Sequence, residues 1–227
     1  NAIPLINTVN YAAGTFATPN TGYFGGGRLP SYTSSMDRID YSNDTATASP
    51  KGPLSGDRIN LAATSSSSFG YFGGGTGVGA VTIVDRIDYL NDTSTASPKG
   101  PLSAMRTHLA ATGNANFGYF GGGKSGTPKS SVSRIDYSND TATGAEKGPL
   151  SAARAYLSAT GNQNFGYFGG GNVQQTVVDR IDYANDTAAA PTKGPLSATK
   201  YGSGATGNAN FGYFGGGYSG GYVTSAD

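Results

Sequence analysis

Gly118-Tyr119-Phe120-Gly121-Gly122-Gly123 is the stretch on which the fold turns, because the chain spells it five times. It recurs at 22–27, 70–75, 166–171 and 212–217, with successive spacings of 48, 48, 48 and 46 residues. Two further markers keep the same register. Arg-Ile-Asp-Tyr stands at 38–41, 86–89, 134–137 and 180–183, and Lys-Gly-Pro-Leu-Ser at 51–55, 99–103, 147–151 and 193–197. Three co-registered motifs define a tandem repeat, and a period of this length marks repeated supersecondary units.

Each unit reads as four short strands. Residues 106–112 come first and stop at the Gly113-Asn114 turn signal. Phe117-Gly118-Tyr119-Phe120 follows; aromatics suit a pleated surface, and Phe117 and Tyr119 share one face. The triple glycine ends that strand, because glycine enters positive φ without steric cost. Residues 177–183 alternate apolar and polar as a third strand. Asn-Asp then turns the chain into a short Thr/Ala strand, and Lys-Gly-Pro leads into the next unit. No segment carries a sustained helical period. A four-stranded unit of this size is one propeller blade. The expected fold class is therefore all-β, a β-propeller with about five visible blades, the last incomplete.

One repeat domain spans 1–227, with units at 4–52, 53–100, 101–148, 149–194 and 195–227. The segment 4–13 aligns with 101–111, one residue shorter, so the array starts on a repeat boundary. The fifth unit stops at Asp227, where Arg-Ile-Asp-Tyr should follow. Two expectations stand: a longer array, or five inner strand pairs that close a ring and leave an exposed edge for a neighbouring subunit to cover. The start at Asn1 implies either processing or a piece of a longer chain.

Composition bounds the function. Fifteen tyrosines and ten phenylalanines supply a core despite 37 glycines and 11 prolines. Fifteen basic against fourteen acidic residues give a net charge of +1, without the basic excess that phosphate binding requires, so nucleic acid is not an expected partner. No apolar run approaches the ~20 residues that cross a bilayer, so no membrane insertion is expected. The absence of cysteine excludes disulfides and thiolate metal sites.

The unit resembles the kelch repeat. Arg58, Arg106 and Arg154 match that family's first-strand arginine. Gly73-Gly74 and Gly121-Gly122 match its paired glycines, and Tyr41, Tyr89, Tyr137 and Tyr183 its third-strand tyrosine. The resemblance covers essentially the whole chain and implies kelch-like blades. It departs in one respect: kelch blades place a tryptophan on the fourth strand, and this chain has none. Lighter packing of the outer strands follows. The wording of the repeats also resembles tandem arrays in structural proteins of marine phages.

Catalytic chemistry is not expected. Residues 118–125 fit the phosphate-loop pattern, but no helix follows to turn its amides toward phosphate. A kelch-like radical-copper oxidase would need a cysteine-linked tyrosine and histidine ligands, whereas His108 is the single histidine. It stands where other units carry Asn60 and Tyr156, as a packing or surface residue. Arg38, Arg86, Arg134 and Arg180 each lie two residues from an aspartate and read as strand-end ion pairs. The Asp-Tyr-x-Asn-Asp-Thr turn offers oxygens for calcium, or caps itself through its own backbone. No cofactor is expected. Asn43, Asn91, Asn139 and Asn185 each head an Asn-x-Thr acceptor for N-glycosylation.

The repeats differ most between the triple glycine and the third strand, at 28–36, 76–84, 124–133, 172–178 and 218–226. Such loops leave a propeller on one rim, and loops on a rigid scaffold carry recognition. Arg28, Tyr32, Lys124, Lys129 and Tyr218 are the candidate binding residues; unconstrained drift would give the same pattern. The expectation is a non-catalytic structural or interaction module on an extracellular or virion surface. Its partner would be a protein or a surface glycan, with self-assembly through the incomplete last blade. The alternative is a lectin-like propeller.

Overall fold

A computed structural model describes residues 13–172 and 175–227, apart from the side chain of Leu29. The alignment of residues 4–12 with a repeat start lies outside the described residues, as does part of the variable segment after Asn172. Blade one runs through strands Gly14–Ala17, Thr21–Gly25, Met36–Asp40 and Ser49–Lys51. Blade two has Ala62–Ser65, Phe69–Gly73, Val84–Asp88 and Ser97–Pro98. Blade three has Ala110–Gly113, Phe117–Gly121, Val132–Asp136 and Ala145–Lys147. Each is an antiparallel meander in chain order. Blade four keeps Ser158–Gly161, Phe165–Gly169 and Val178–Asp182, with its outer strand reduced to a bridge between Asp179 and Thr192. A partial fifth sheet pairs Gly204–Gly207 with Gly212–Gly215. The protein is all-β, with four blades in a propeller arrangement and the inner strands of successive blades side by side.

The fourth strand departs from the sequence reading. It forms on Ser49–Lys51 and its equivalents, not on the Thr/Ala residues. A 3-10 turn occupies Tyr41–Asn43, Tyr89–Asn91, Tyr137–Asn139 and Tyr183–Asn185. The aspartate before each turn accepts an amide two residues on, as Asp88 does from Leu90 at 2.9 Å. That local bond draws the backbone out of the ladder. A second departure is a small hairpin after the triple glycine, at Arg28–Leu29 with Ser31–Tyr32, and again in blades two and three.

Phenylalanine from one blade packs on glycine of the blade before it. A Cβ at Gly25, Gly73, Gly121 or Gly169 would lie 2.7, 2.6, 2.7 or 2.7 Å from a ring carbon of Phe72, Phe120, Phe168 or Phe214. Only glycine admits that approach. Phe72, Phe120 and Phe168 are fully buried, each worth about 1.5–3 kcal/mol of transfer free energy. Among the described residues, only Ala226 lies within 4 Å of a Cβ at Gly215, so Phe24 of blade one does not make the equivalent contact on blade five. Phe211 and Tyr213 there are 63% and 48% exposed.

A buried cation anchors the inner half of each unit from two to five. Arg58 pairs with Asp85 at 2.6 Å and donates to the carbonyls of Gly74 and Ile83 at 3.2 and 3.1 Å. Arg154 repeats this with Asp179 at 2.5 Å, and Lys200 with Asp227 at 2.5 Å. Blade three has Ser133 in place of the aspartate. Arg106 donates there to Ser131 O at 2.7 Å and to Ser133 Oγ at 3.3 Å.

Candidate functional site

At the junctions between blades one to four, the charges of the outer half are committed to the scaffold. Arg38, Arg86 and Arg134 do not pair within their own strand ends, because the nearby aspartates cap the 3-10 turns. They reach across to the next blade instead, to Asp92, Asp140 and Asp186 at 2.7, 2.8 and 2.7 Å. Each carboxylate also takes a tyrosine hydroxyl, from Tyr23, Tyr71 or Tyr119 at 2.9, 3.1 or 2.8 Å. Lys51, Lys99 and Lys147 complete the sockets at 3.2, 3.7 and 3.1 Å. Burial works to raise the Asp186 carboxyl, but the hydrogen bonds of Tyr119 and Lys147 and the charge of Arg134 hold it below the usual carboxylate range. These carboxylates face cations, so calcium has no place at the engaged turns. Among the described residues no group of three or more His, Cys, Asp or Glu could hold a metal.

The rim is built by the hairpins and by the residues that lead into the inner strands. Bridges from Ile59 to Thr76, Thr107 to Lys124 and Tyr201 to Tyr218 tie the post-glycine segments of blades two, three and five to that lead-in. Asn60, His108, Tyr156 and Gly202 follow at equivalent positions with φ of 55°, 55°, 60° and 65°. His108 N donates to Asn60 O, Tyr156 N to His108 O and Gly202 N to Tyr156 O, at 2.9, 2.9 and 2.8 Å. One left-handed residue per blade thus links four blades along the rim. The sequence reading singled out only His108 of this row; its signal was a column that varies between otherwise constant repeats. His108 packs 4.1 Å from the Tyr156 ring. Burial, and then the Lys124 charge, lower its pKa to about 4.

The candidate binding residues fall into three places. Arg28 and Tyr32 are cross-strand partners on the first hairpin and line a shallow cleft with Ser31, Asp57 and Val78. Lys124 reaches inward, donating to Tyr156 Oη at 2.7 Å, and Lys129 closes its hairpin through a backbone bond to Gly123. Tyr218 belongs to an aromatic row on blade five, 5.5 Å from Tyr201 and 5.8 Å from Tyr222. All five lie on post-glycine segments, but no single cleft gathers them. After Gly118–Gly123, Lys124 and Ser125 open a hairpin rather than a helix, which removes the geometry a phosphate loop needs. Among the described residues no helix is long and apolar enough to cross a membrane.

The architecture defines a β-propeller arrangement of tandem repeats. No model of a known protein family matches the chain, and no curated protein matches it.

Proposed function

We propose that the chain is a non-catalytic interaction module of kelch-like type, displayed on an extracellular or virion surface. Its variable rim hairpins would meet a protein or glycan partner. One observation carries this reading. At the three junctions between blades one to four the constant charged residues are engaged in inter-blade sockets, and buried anchors hold units two to five, while the repeat-to-repeat variation collects on hairpins of one rim. A scaffold that holds its framework and varies one edge suits multivalent recognition.

The lectin-like reading draws on the row Tyr201, Tyr218 and Tyr222, the last of them 94% exposed. Open tyrosine faces suit sugar rings. A glycan array and a displayed peptide library, each probed with the wild type and with a variant whose segments 28–32, 76–80 and 124–128 are Gly/Asn turns, separate these outcomes. Peptide ligands lost on replacing the hairpins support protein recognition. Glycan ligands lost on Tyr222→Ala support the lectin, and equal selection by all forms rejects both. The side chains of Asn43, Asn91, Asn139 and Asn185 are on exposed residues, open to glycan transfer in a secreted form; the intact mass of native protein reads that modification.

A further inference from the structure

The rim row holds three side chains in the left-handed region, Asn60, His108 and Tyr156, at φ of 55°, 55° and 60°. Asparagine and histidine enter that region more readily than most residues, whereas a bulky ring there is an outlier. Gly202 takes the same conformation in the next unit, at φ 65°, with no Cβ to strain. A tyrosine kept where glycine fits better points to a task for its side chain, and strain of this kind gathers at ligand clamps.

The neighbours of Tyr156 are donors. Lys124 crosses from blade three to donate to Tyr156 Oη at 2.7 Å, with Nζ 4.8 Å from the ring centre. A phenol that accepts this bond keeps its own hydrogen to give. The His108 ring lies 4.1 Å from the Tyr156 ring. Thr76 Oγ1 donates to Thr107 Oγ1 at 2.7 Å, which leaves the Thr107 hydrogen for His108 Nδ1 at 3.2 Å. The neutral imidazole then carries its hydrogen on Nε2 and adds a third donor.

No carboxylate answers these donors. Among the described residues none pairs with Lys124, and the Asn60 side chain makes no hydrogen bond. Asp85 and Asp179 serve the inner anchors, and Asp92, Asp140 and Asp186 the sockets. Asn60, His108 and Tyr156 border one cavity, and the aromatic row continues from Tyr156 to Tyr201 at 6.0 Å. An ammonium and two neutral donors without an acid suit an anionic oxygen ligand. Ring faces beside a few placed polar groups suit a small ligand with an apolar face. A sugar that bears a carboxylate meets both conditions, because its C–H face packs on rings while its charge meets the donors.

Given recognition at the rim, on which this proposal rests, we infer that Lys124, His108 and Tyr156 form a binding site for an acidic sugar. The carboxylate meets the donors and the sugar ring meets the aromatic faces. The donors all belong to units three and four.

The chain has one histidine, so its imidazole proton resonances report on the site without overlap. Titration of the full chain with a galacturonate trimer at neutral pH shifts them, and calorimetry gives the affinity. The methyl ester of that trimer keeps the ring faces and loses the charge, and binds on the order of tenfold or more weaker. Lys124→Gln brings the acid down to the affinity of its ester. Tyr156→Phe keeps the stack and removes the hydroxyl; it weakens the acid severalfold without lowering the thermal unfolding temperature. A purely structural tyrosine would show the reverse. Equal binding of acid and ester overturns the proposal, as does a tetraglutamate peptide that binds more tightly than the trimer. No shift of the histidine resonances by galacturonate or glucuronate trimers at millimolar concentration overturns it too. Peptide ligands still lost on replacing the hairpins would then leave recognition at the rim standing.

Discussion

Asp85 and Arg86 are adjacent, yet they serve two different arginine–aspartate pairs. Alternation along the Val84–Asp88 strand turns them to opposite faces of the sheet. Asp85 meets Arg58 of its own blade in full burial, whereas Arg86 reaches Asp140 of the next blade with a quarter of its side chain still exposed. The inner pair fixes how a blade closes on itself. The outer pair fixes which blade follows. Their tolerance differs too: the inner aspartate is Ser133 in blade three, and Arg106 is then held by serine and carbonyl oxygens. The outer aspartate is retained in every socket that is filled. An arginine buried among several carbonyls has acceptors in reserve, while a socket of three donors converging on one carboxylate has none.

The largest effect tests the inner pair. Arg58→Met leaves Asp85 buried without its cation and lowers stability by about 3–5 kcal/mol in urea unfolding. A loss under about 1 kcal/mol would show that the Ser55 amide, 3.0 Å from Asp85, suffices alone. Next comes the outer pair. Asp140→Asn keeps the shape but removes the charge facing Arg86 and Lys99, at a cost of about 2 kcal/mol. Because the pair joins blades two and three, amide exchange should rise along that junction and not within the inner strands.

Ser133→Asp sharpens the contrast from the other side. It gives Arg106, whose pKa burial lowers to about 10, the carboxylate its equivalents enjoy, and should raise stability by about 1 kcal/mol. A destabilised variant would mean that desolvating the new carboxylate outweighs the pair.

The smallest effect is the pH dependence of the rim. His108 is lowered in the folded state, from 6.5 to about 4, so the unfolded chain binds the proton first. Stability is complete above about 6.5 and falls as the pH drops toward about 4. His108→Asn, copying Asn60, should flatten the thermal unfolding temperature across that window; an unchanged slope would assign it to carboxylates instead.

Much of this was legible in the chain. The period, the four-strand unit, the all-β class and the incomplete fifth sheet follow from motifs repeated in register, because identical segments in identical surroundings must fold alike. Arg58 and Arg154 were legible as structural positions for the same reason. The rim placement of the post-glycine segments followed from blade order. The fourth strand was misplaced because the Asp88-type cap holds a 3-10 turn that strand propensity does not register. The partners of Arg38, Arg86 and Arg134 were hidden because each lies in the next repeat, and sequence proximity pointed to an aspartate already bonded to its own turn.

Sequence by itself determined what each blade is: local chemistry repeated with fidelity sets strand, turn and glycine notch. Only the tertiary structure decided which blade face meets which, since the arginine–aspartate pairs at those faces join residues more than fifty positions apart.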